Sequence, residues 1–461
     1  MSLSSFELQP TKENLLETLS LDLLGRNETV WRFARLCNLI DRSCTIALDA
    51  NWGQGKTFFV KHVQLLIESS NPCLTSLSDE EKTVINNAFA KQRNQSSNED
   101  DFDWQVCVYY DAWIDDNDCD PILSLVYEIL KCTAQHYTFK RGLDGVKAAS
   151  TLVDFFTGRN TGDFLSLFQD KDPLSELKSQ KEIHDLVDHF LDSLLDEQGN
   201  RLIVFIDELD RCKPDYAVRL LERIKHYFTN DRITFVFSVN IDELQHTVKN
   251  HYGVGFDACR YLDRFFDYRI TLPPANLSSY YDYIGVGNNT YVFDNVCKSV
   301  IRHYNFGLRE IEKYIRMTKI SGYEITHHGG TSGFPDGNAK MFCMCIVLPI
   351  IVGLRMADTI LYNDFINGNN SQPLLDIIGD GSLARNMMSM LLDVSESFDK
   401  ALEKKNVLLV DKLQQVYDAL FKSDEERGWD AVTIGQCAFS NETKVEVLKA
   451  ASMLSKYAKY D

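Results

Sequence analysis

The sequence lacks the cysteine and histidine patterns of a zinc site. Its 12 cysteines are scattered along 461 residues, with no C-x-x-C pair and no Cys/His cluster at zinc-ligand spacing. The closest pair, Cys343 and Cys345, lies in an apolar run where buried thiols are expected. The first residues are polar and do not resemble a signal peptide. Free thiols without export predict a cytoplasmic protein.

Positive charge is also scarce. Lys and Arg total 48 against 67 Asp and Glu, which gives a formal net charge of −19. A protein that wraps nucleic acid over a broad surface needs clustered cations to contact the phosphates. The composition therefore argues against that class of function, although a local basic groove is not excluded. Hydrophobic residues make up 44% and charged residues 25%, as is usual in soluble globular proteins.

Long hydrophobic runs are missing too. The stretch that most invites a membrane interpretation, residues 341–354, contains Pro349 and Gly353. It is shorter than the roughly 20 residues that a membrane-spanning helix needs. A membrane segment and a buried core helix are the two interpretations, and the length favours the core helix. We expect no transmembrane span, and we find no internal repeat.

What the sequence does contain is a phosphate-binding loop in the setting that such a loop requires. Residues 44–50 predict a strand and residues 58–69 have helical periodicity, with "NWGQGKT" between them. Ala50 stands where the motif usually begins with glycine, and a small side chain is tolerated there if φ stays negative. The predicted nucleotide-contacting residues are Asn51, Trp52, Gly53, Gln54, Gly55, Lys56, Thr57 and Phe58.

The motif assigns roles to two of these side chains. Lys56 is expected to reach the β- and γ-phosphates, and Thr57 to ligate Mg²⁺. Backbone N–H groups and the N-terminus of the following helix would hold the phosphates. ATP is favoured over GTP because no Asn-Lys-x-Asp segment follows, and Asn240-Ile-Asp242 lacks the lysine. The expected cofactors are therefore ATP and Mg²⁺.

Four more apolar runs, residues 104–113, 201–210, 232–240 and 265–274, predict strands. Runs that are buried on both faces and separated by helices indicate a parallel sheet between helical layers. The sequence thus predicts an α/β fold, a three-layer αβα P-loop NTPase core with a five-stranded parallel sheet, followed by helices.

The chain beyond the sheet reads as mostly helical. Within the core, residues 70–103 are polar and predict a surface insertion, and the sequence does not place residues 138–182. We divide the chain into an N-terminal helical lead-in (1–42), the P-loop NTPase core (43–274), a helical lid (275–325) and a helical C-terminal domain (326–461).

Candidate catalytic residues lie at strand ends. Asp207 would stand beside the Mg²⁺, and Glu208 is where a general base would polarise the attacking water. Asn240 could orient that water or touch the γ-phosphate, although a polar residue often simply leaves a sheet. Arg264, before the last strand, and Arg309, which opens a later helix, could stabilise charge on the γ-phosphate. Surface ion pairing is the usual role of a single arginine.

Six short segments follow one another along the chain: "DLLGR" (22–26), "NWGQGKT" (51–57), "YYDAW" (109–113), "IDELDRC" (206–212), "LPP" (272–274) and "LREIEKYI" (308–315). In this order, they resemble the motifs of the KAP family of P-loop NTPases, within the broader class that includes AAA+ proteins. Asp111 replaces the asparagine of one family motif, and Ala50 the first loop glycine.

The resemblance implies a sheet whose phosphate-loop strand is central and flanked by the acid-bearing strand, with a helical lid from about residue 275. It implies an ATP-hydrolysing switch or motor coupled to assembly or to a partner. In the related AAA+ architecture Arg264 would act in a neighbouring subunit and Arg309 in its own, so a homo-oligomer is expected. For bacterial members it implies defence against phages or plasmids, with a protein partner encoded nearby.

Two alternative functions stay open. A nucleotide-binding scaffold would bind ATP to order a surface but barely hydrolyse it, and Glu208 is the residue that discriminates the two. A nucleic-acid translocase would need a basic channel, for which segments such as "KHYFTNDR" offer little support. Because Lys56, Thr57, Asp207 and Glu208 are all present, we expect a competent ATPase site.

Overall fold

The computed structural model places two compact units along the chain, Leu8–Leu277 and, for the most part, Ser278–Asp461. The unplaced insertion 138–182 lies outside the described residues. The structure describes residues 9–95, 102–117, 121–137, 188–189, 191–196, 198–287, 291–327, 333–378, 389–392, 407–422 and 430–452.

The first unit is built on a five-stranded parallel sheet, which confirms the predicted fold class. The strands pair in the order β2-β3-β4-β1-β5. Every residue of β3 and β4 is buried, because helices cover both faces of the sheet. The strands are β1 (Cys44–Asp49), β2 (Gln105–Asp111), β3 (Arg201–Asp207), β4 (Ile233–Val239) and β5 (Tyr268–Thr271).

The predicted order of the strands is wrong. The phosphate-loop strand β1 is not central, and the acid-bearing strand β3 is not its neighbour, because β4 lies between them. The central position suits β4, whose seven residues are all buried, whereas the largely exposed β5 can only lie at an edge. The loop and the acidic motif are therefore separated by the strand that ends before Asn240.

Helices surround this sheet. The polar segment predicted as a surface insertion carries α4 and α5, and its Ile85 and Phe89 are fully buried. Phe89 packs against Trp31 of α2, with ring centroids 5.9 Å apart. The described helices of this unit are α1 (Lys12–Ser20), α2 (Asn27–Leu39), α3 (Lys56–Glu68), α4 (Asp79–Ala88), α5 (Ala90–Gln95), α6 (Pro121–His136), α7 (Pro214–Tyr227), α8 (Ile241–Tyr252) and α9 (Ala258–Leu262).

The second unit is mainly helical, but it also contains an antiparallel hairpin, β6 (Val432–Ile434) with β7 (Cys437–Phe439), that the sequence did not predict. Gly435 turns this hairpin with φ +58°, a conformation that glycine adopts without strain. Its helices are α10 (Ser278–Tyr283), α11 (Val292–His303), α12 (Leu308–His327), α13 (Gly337–Phe342), α14 (Leu348–Ala357), α15 (Thr359–Ile366), α16 (Gln372–Ile378), α17 (Val407–Phe421) and α18 (Asn441–Ser452).

A π-helical turn, Cys343–Val347, joins α13 and α14 into one helix of 21 residues, with a mean hydropathy of 1.9 over its most apolar window. Among the described residues, this helix alone is long and apolar enough to cross a membrane. It is longer than the apolar run in the sequence suggested. However, 67% of that window is buried inside the protein, as in the core helix of a soluble domain.

Gly353 marks the tight packing of this helix. A Cβ at that position would lie 2.3 Å from Cγ1 of the buried Val300. We expect Gly353→Ala to lower the free energy of unfolding by about 1–3 kcal/mol through overpacking. The matched control is Gly322→Ala in α12, where an added Cβ would meet no heavy atom of the described residues within 4 Å, apart from its chain neighbours and the backbone of its own helix. That control should gain about 0.5–1 kcal/mol of stability. Denaturant unfolding followed by circular dichroism measures both, and equal effects would contradict the packing argument.

Candidate nucleotide-binding site

The loop between β1 and α3 has the backbone that glycine permits. Gly53 and Gly55 have φ of +76° and +80°, in the left-handed region that side chains disfavour. Gly55 also caps the N-terminus of α3, where free N–H groups favour an anion. Ala50 does not have a positive φ, and its N–H donates to the carbonyl of Val239. An alanine is therefore compatible with the first position of the loop.

Lys56 is enclosed by this loop. Its Nζ donates to the carbonyl oxygen of Ala50 at 2.7 Å and lies 3.3 Å from that of Asn51. Burial lowers the pKa of Lys56, while the nearby carboxylates of Asp210 and Asp207 oppose that shift. The ammonium group is thus held inside the curve of the loop, where an anion would be drawn to it.

Asp207 ends β3 and is 1% exposed. Its Oδ2 accepts hydrogen bonds from the Thr57 hydroxyl at 2.7 Å and from the Tyr109 hydroxyl at 3.0 Å. Its Oδ1 accepts from the N–H of Glu208 at 3.0 Å. The contact between Thr57 and Asp207 joins the loop to the acidic motif across the intervening strand β4.

This hydroxyl and carboxylate pair fits Mg²⁺. Both groups supply oxygen ligands, which Mg²⁺ prefers, and the cation commonly takes its other ligands from water and substrate phosphates. Within the part of the chain that the structure describes, no group of three or more His, Cys, Asp or Glu side chains could hold a metal ion. A cation beside Thr57 and Asp207 would therefore depend on a bound nucleotide and water.

Glu208 has an unusual backbone and a perturbed acidity. Its φ of +60° lies in the left-handed region, which is uncommon for a residue with a side chain and often marks a functional position. Burial and the adjacent Asp207 raise its pKa to about 7, while Arg211 opposes the shift. The Nε of Arg211 lies 2.6 Å from Oε2 of Glu208. The candidate base is thus ion-paired.

Tryptophans connect the loop to the acidic motif. The Nε1 of Trp52 donates to Oδ2 of Asp210 at 2.6 Å, and the N–H of Asn240 donates to the same oxygen at 3.2 Å. The Arg211 guanidinium lies 5.6 Å from the ring centroids of both Trp52 and Trp113. Of these residues, the sequence analysis missed Asp210, Arg211 and Trp113 as site residues, although the "IDELDRC" and "YYDAW" motifs contain them.

Asn240 lies beside the site, but its side chain has a structural partner. It caps α8, where its Oδ1 accepts from the N–H groups of Asp242 at 3.2 Å and Glu243 at 3.4 Å. This arrangement is the ordinary one for an asparagine at a helix N-terminus. A role in orienting water stays a prediction.

Arg26 is a second residue that the sequence analysis missed. It is 5% exposed, and its two terminal nitrogens each donate at 2.7 Å to a backbone carbonyl, one of Gln54 and one of Pro273. Burial lowers its pKa to about 10, so it remains charged near neutral pH. Arg26 of the "DLLGR" motif therefore joins the phosphate-binding loop to the "LPP" motif after β5.

Arg264 does not lie at its own loop. The next residue, Phe265, accepts a hydrogen bond at 2.5 Å from the hydroxyl of Thr45, near the start of β1, and the side chain of Arg264 is exposed. The phosphate-binding loop begins beyond the opposite end of β1. At about 3.3 Å per residue, the two ends of β1 are roughly 15–20 Å apart, so Arg264 and the loop lie at opposite ends of the strands.

Three further predicted site residues are Asn51, Phe58 and Arg309. Asn51 is exposed, and the ring of Phe58 lies 6.1 Å from that of His62. Arg309 is exposed on the first turn of α12, in the second unit. The structure thus brings together Lys56, Thr57, Asp207 and Glu208, with Asn240 beside them.

Comparison with known proteins identifies the family of the chain. The KAP family P-loop domain matches residues 33–285, which include the loop, the acidic motif and all five strands. No curated protein matches the sequence. The solved structure of the Aeropyrum pernix ORC2 protein in ADPNP-ADP complexes matches 88% of this chain and 94% of its own, at 13% identity and a TM-score of 0.28. That score is too low to support an argument. Since the family domain spans more than half of the sequence, the chain belongs to the KAP family of P-loop NTPases.

Proposed function

We propose that this protein binds ATP with Mg²⁺ and hydrolyses it. The observation that carries the proposal is the 2.7 Å contact of Thr57 with Asp207, next to Glu208. It supports the proposal because a hydroxyl and a carboxylate that could ligate a metal, and a candidate base, then lie beside a glycine loop that encloses Lys56. The direct test is release of inorganic phosphate from ATP by the purified protein, with and without Mg²⁺.

Different residues would bind the phosphates, hold the metal ion and accept the proton. Loop N–H groups and Lys56 bind the β- and γ-phosphates, and in doing so Lys56 exchanges the carbonyls of Ala50 and Asn51 for phosphate oxygens. Thr57 and Asp207 would hold the Mg²⁺, which would supply positive charge against the phosphate oxygens. Glu208 accepts the proton of the attacking water, for which its carboxylate must be free. Tyr109 orients Asp207 through its hydroxyl.

A nucleotide-binding scaffold with little turnover is the second candidate. The observation that favours it is the ion pair of Glu208 with Arg211, which occupies one oxygen of the base. Comparing ATP affinity with the rate of phosphate release separates the two functions. Tight binding without release in the wild type would support the scaffold.

We further propose that hydrolysis is completed by a second copy of the chain. Arg264 is exposed at the end of the sheet opposite its own loop, so it could serve only another subunit's nucleotide. Such a trans arginine makes hydrolysis depend on assembly. Arg309 is proposed to act within its own subunit.

A mixing experiment tests the trans role of Arg264. Arg264→Ala and Lys56→Ala proteins should each be inactive alone, and mixing them should restore ATPase activity at interfaces that pair an intact loop with an intact arginine. The matched control is Arg260→Ala, another exposed arginine four residues earlier, which should keep wild-type turnover. Full activity of Arg264→Ala alone, or specific activity that is constant on dilution, would rule the trans role out.

The wider biological role is proposed from the family alone. We propose a cytoplasmic switch or motor that couples ATP to assembly or to a protein partner encoded by a neighbouring gene, in bacterial defence against phages or plasmids. A nucleic-acid translocase is less favoured, because the net charge of −19 opposes broad phosphate contact. Co-purification with the products of neighbouring genes, with and without ATP, tests the partner.

A further inference from the structure

Arg211 occupies a position between the loop, the base and the end of β2. It lies in the short 3₁₀ turn Leu209–Arg211 that directly follows Glu208. Its Nε is 2.6 Å from Oε2 of Glu208, and its guanidinium lies 5.6 Å from the ring centroids of Trp52 and Trp113. One side chain thus touches the candidate base and an aromatic residue of the phosphate-binding loop.

The two tryptophans are not core residues. Trp52 is 47% exposed and Trp113 is 52% exposed, so neither contributes much burial. A cation near an indole face is attracted to it, most strongly when both are partly removed from water. Arg211 is itself only 26% exposed, so its guanidinium is partly removed from water and both rings can attract it. The two rings therefore lie beside Arg211 and add little to the hydrophobic core.

Trp52 gives this arrangement a link to the nucleotide. It belongs to the loop itself, and its Nε1 is bonded to Asp210, the residue before Arg211. Phosphates that enter the loop and reposition its backbone would also shift the Trp52 ring. Arg211 would then lose one of the two rings that attract it.

The ion pair matters because of what Glu208 must do. A carboxylate that accepts a proton from water needs a free oxygen directed at that water. In the structure the Nε of Arg211 lies 2.6 Å from Oε2 of Glu208, so that oxygen is held in an ion pair and is not free for a water.

We propose that Arg211 is a positioning residue that competes with the attacking water for the Glu208 carboxylate, and that nucleotide in the loop weakens this ion pair, without abolishing it, by displacing Trp52. The inference rests on the proposed ATPase function. It differs from a structural role for Arg211, in which its loss would only destabilise the acidic turn.

The test compares Arg211→Met with wild type, since methionine keeps an apolar stem near the rings but removes the ion pair. We expect kcat to rise by about 3- to 30-fold with KM changed less than about twofold, the scale of one charged hydrogen bond that is partly exposed. Arg211→Lys should give a smaller rise, because it keeps the charge but loses the directed Nε contact. Arg32→Met, which removes an exposed ion pair with Glu28, is the control and should change nothing.

Intrinsic tryptophan fluorescence supplies a readout that does not need turnover. Adding ATP to the wild type should change the emission, because the guanidinium moves relative to Trp52 and Trp113. In Arg211→Met the emission change should be smaller, because only the shift of Trp52 itself remains, while ATP affinity measured by calorimetry stays within about threefold. If Arg211→Met does not fold, Arg211→Lys is measured in its place and should lose part of the change.

The outcomes separate the two proposals. ATP binding without phosphate release in every variant overturns the hydrolysis proposal, and the fluorescence comparison then decides whether Arg211 follows the loop. A fall in kcat, or an unaltered fluorescence change in Arg211→Met, overturns the role of Arg211 while leaving the ATPase intact. Loss of affinity with unchanged kcat would make Arg211 a structural residue of the site.

Discussion

The Lys56→Ala protein is expected to lose measurable ATP binding, with at least a 100-fold fall in affinity. Lys56 carries the ammonium group that the loop encloses, already desolvated and held by the carbonyls of Ala50 and Asn51. A charged hydrogen bond to phosphate in such surroundings is stronger than one in water. Isothermal titration calorimetry with ATP and Mg²⁺ measures the loss directly.

The matched control for this experiment is Lys91→Ala. Lys91 is an exposed lysine of α5 in the same unit, outside the loop, and its replacement should leave the affinity unchanged. Circular dichroism shows whether the Lys56 variant keeps its fold. Wild-type affinity in a folded Lys56→Ala protein would refute the assignment of this loop to phosphate binding.

The Glu208→Gln protein is expected to bind ATP as tightly as the wild type but to hydrolyse it at least 100-fold more slowly. Glutamine has the shape of glutamate and can still accept a hydrogen bond from Arg211, but its amide cannot take the proton of water. Phosphate release at saturating ATP measures the rate, and calorimetry measures the affinity.

Glu222→Gln is the control for the loss of a carboxylate. Glu222 lies on α7 and accepts hydrogen bonds from the hydroxyls of Tyr252 and Tyr261, away from the loop. We expect its turnover to equal that of the wild type. Equally slow hydrolysis by the wild type and the Glu208→Gln protein would instead make the scaffold the better description of this chain.

Sequence reasoning and structure differ most clearly on the order of the strands. Each strand can be predicted from local sequence, because an apolar run between polar ends is a property of a few consecutive residues. Which strands become neighbours depends on how the helices and strands pack together, and these elements can be about a hundred residues apart in the sequence. The placement of β4 between the loop strand and the acid strand could therefore not be derived from the runs themselves.

Only part of the candidate site could be predicted for the same reason. Gly53, Gly55, Lys56 and Thr57 are consecutive or nearly so, and their spacing alone indicates a phosphate-binding loop. Arg26 stands far from Pro273 in the sequence, and only the folded chain shows that it joins the loop to the segment after β5. Its role was invisible because the two partners are backbone carbonyls, which no side-chain pattern marks.

By itself the sequence determined the elements of the core, the phosphate-binding loop, the acids at the end of β3 and the family. These depend on local hydrophobic periodicity and on residues at short fixed spacing. Tertiary structure decided the contact of Thr57 with Asp207, the exposure of Arg264 at the end of the sheet opposite the loop, and the position of Arg211 near two tryptophans. Each of these joins or separates segments that are distant in the sequence, so it exists only once the sheet has brought its strands together.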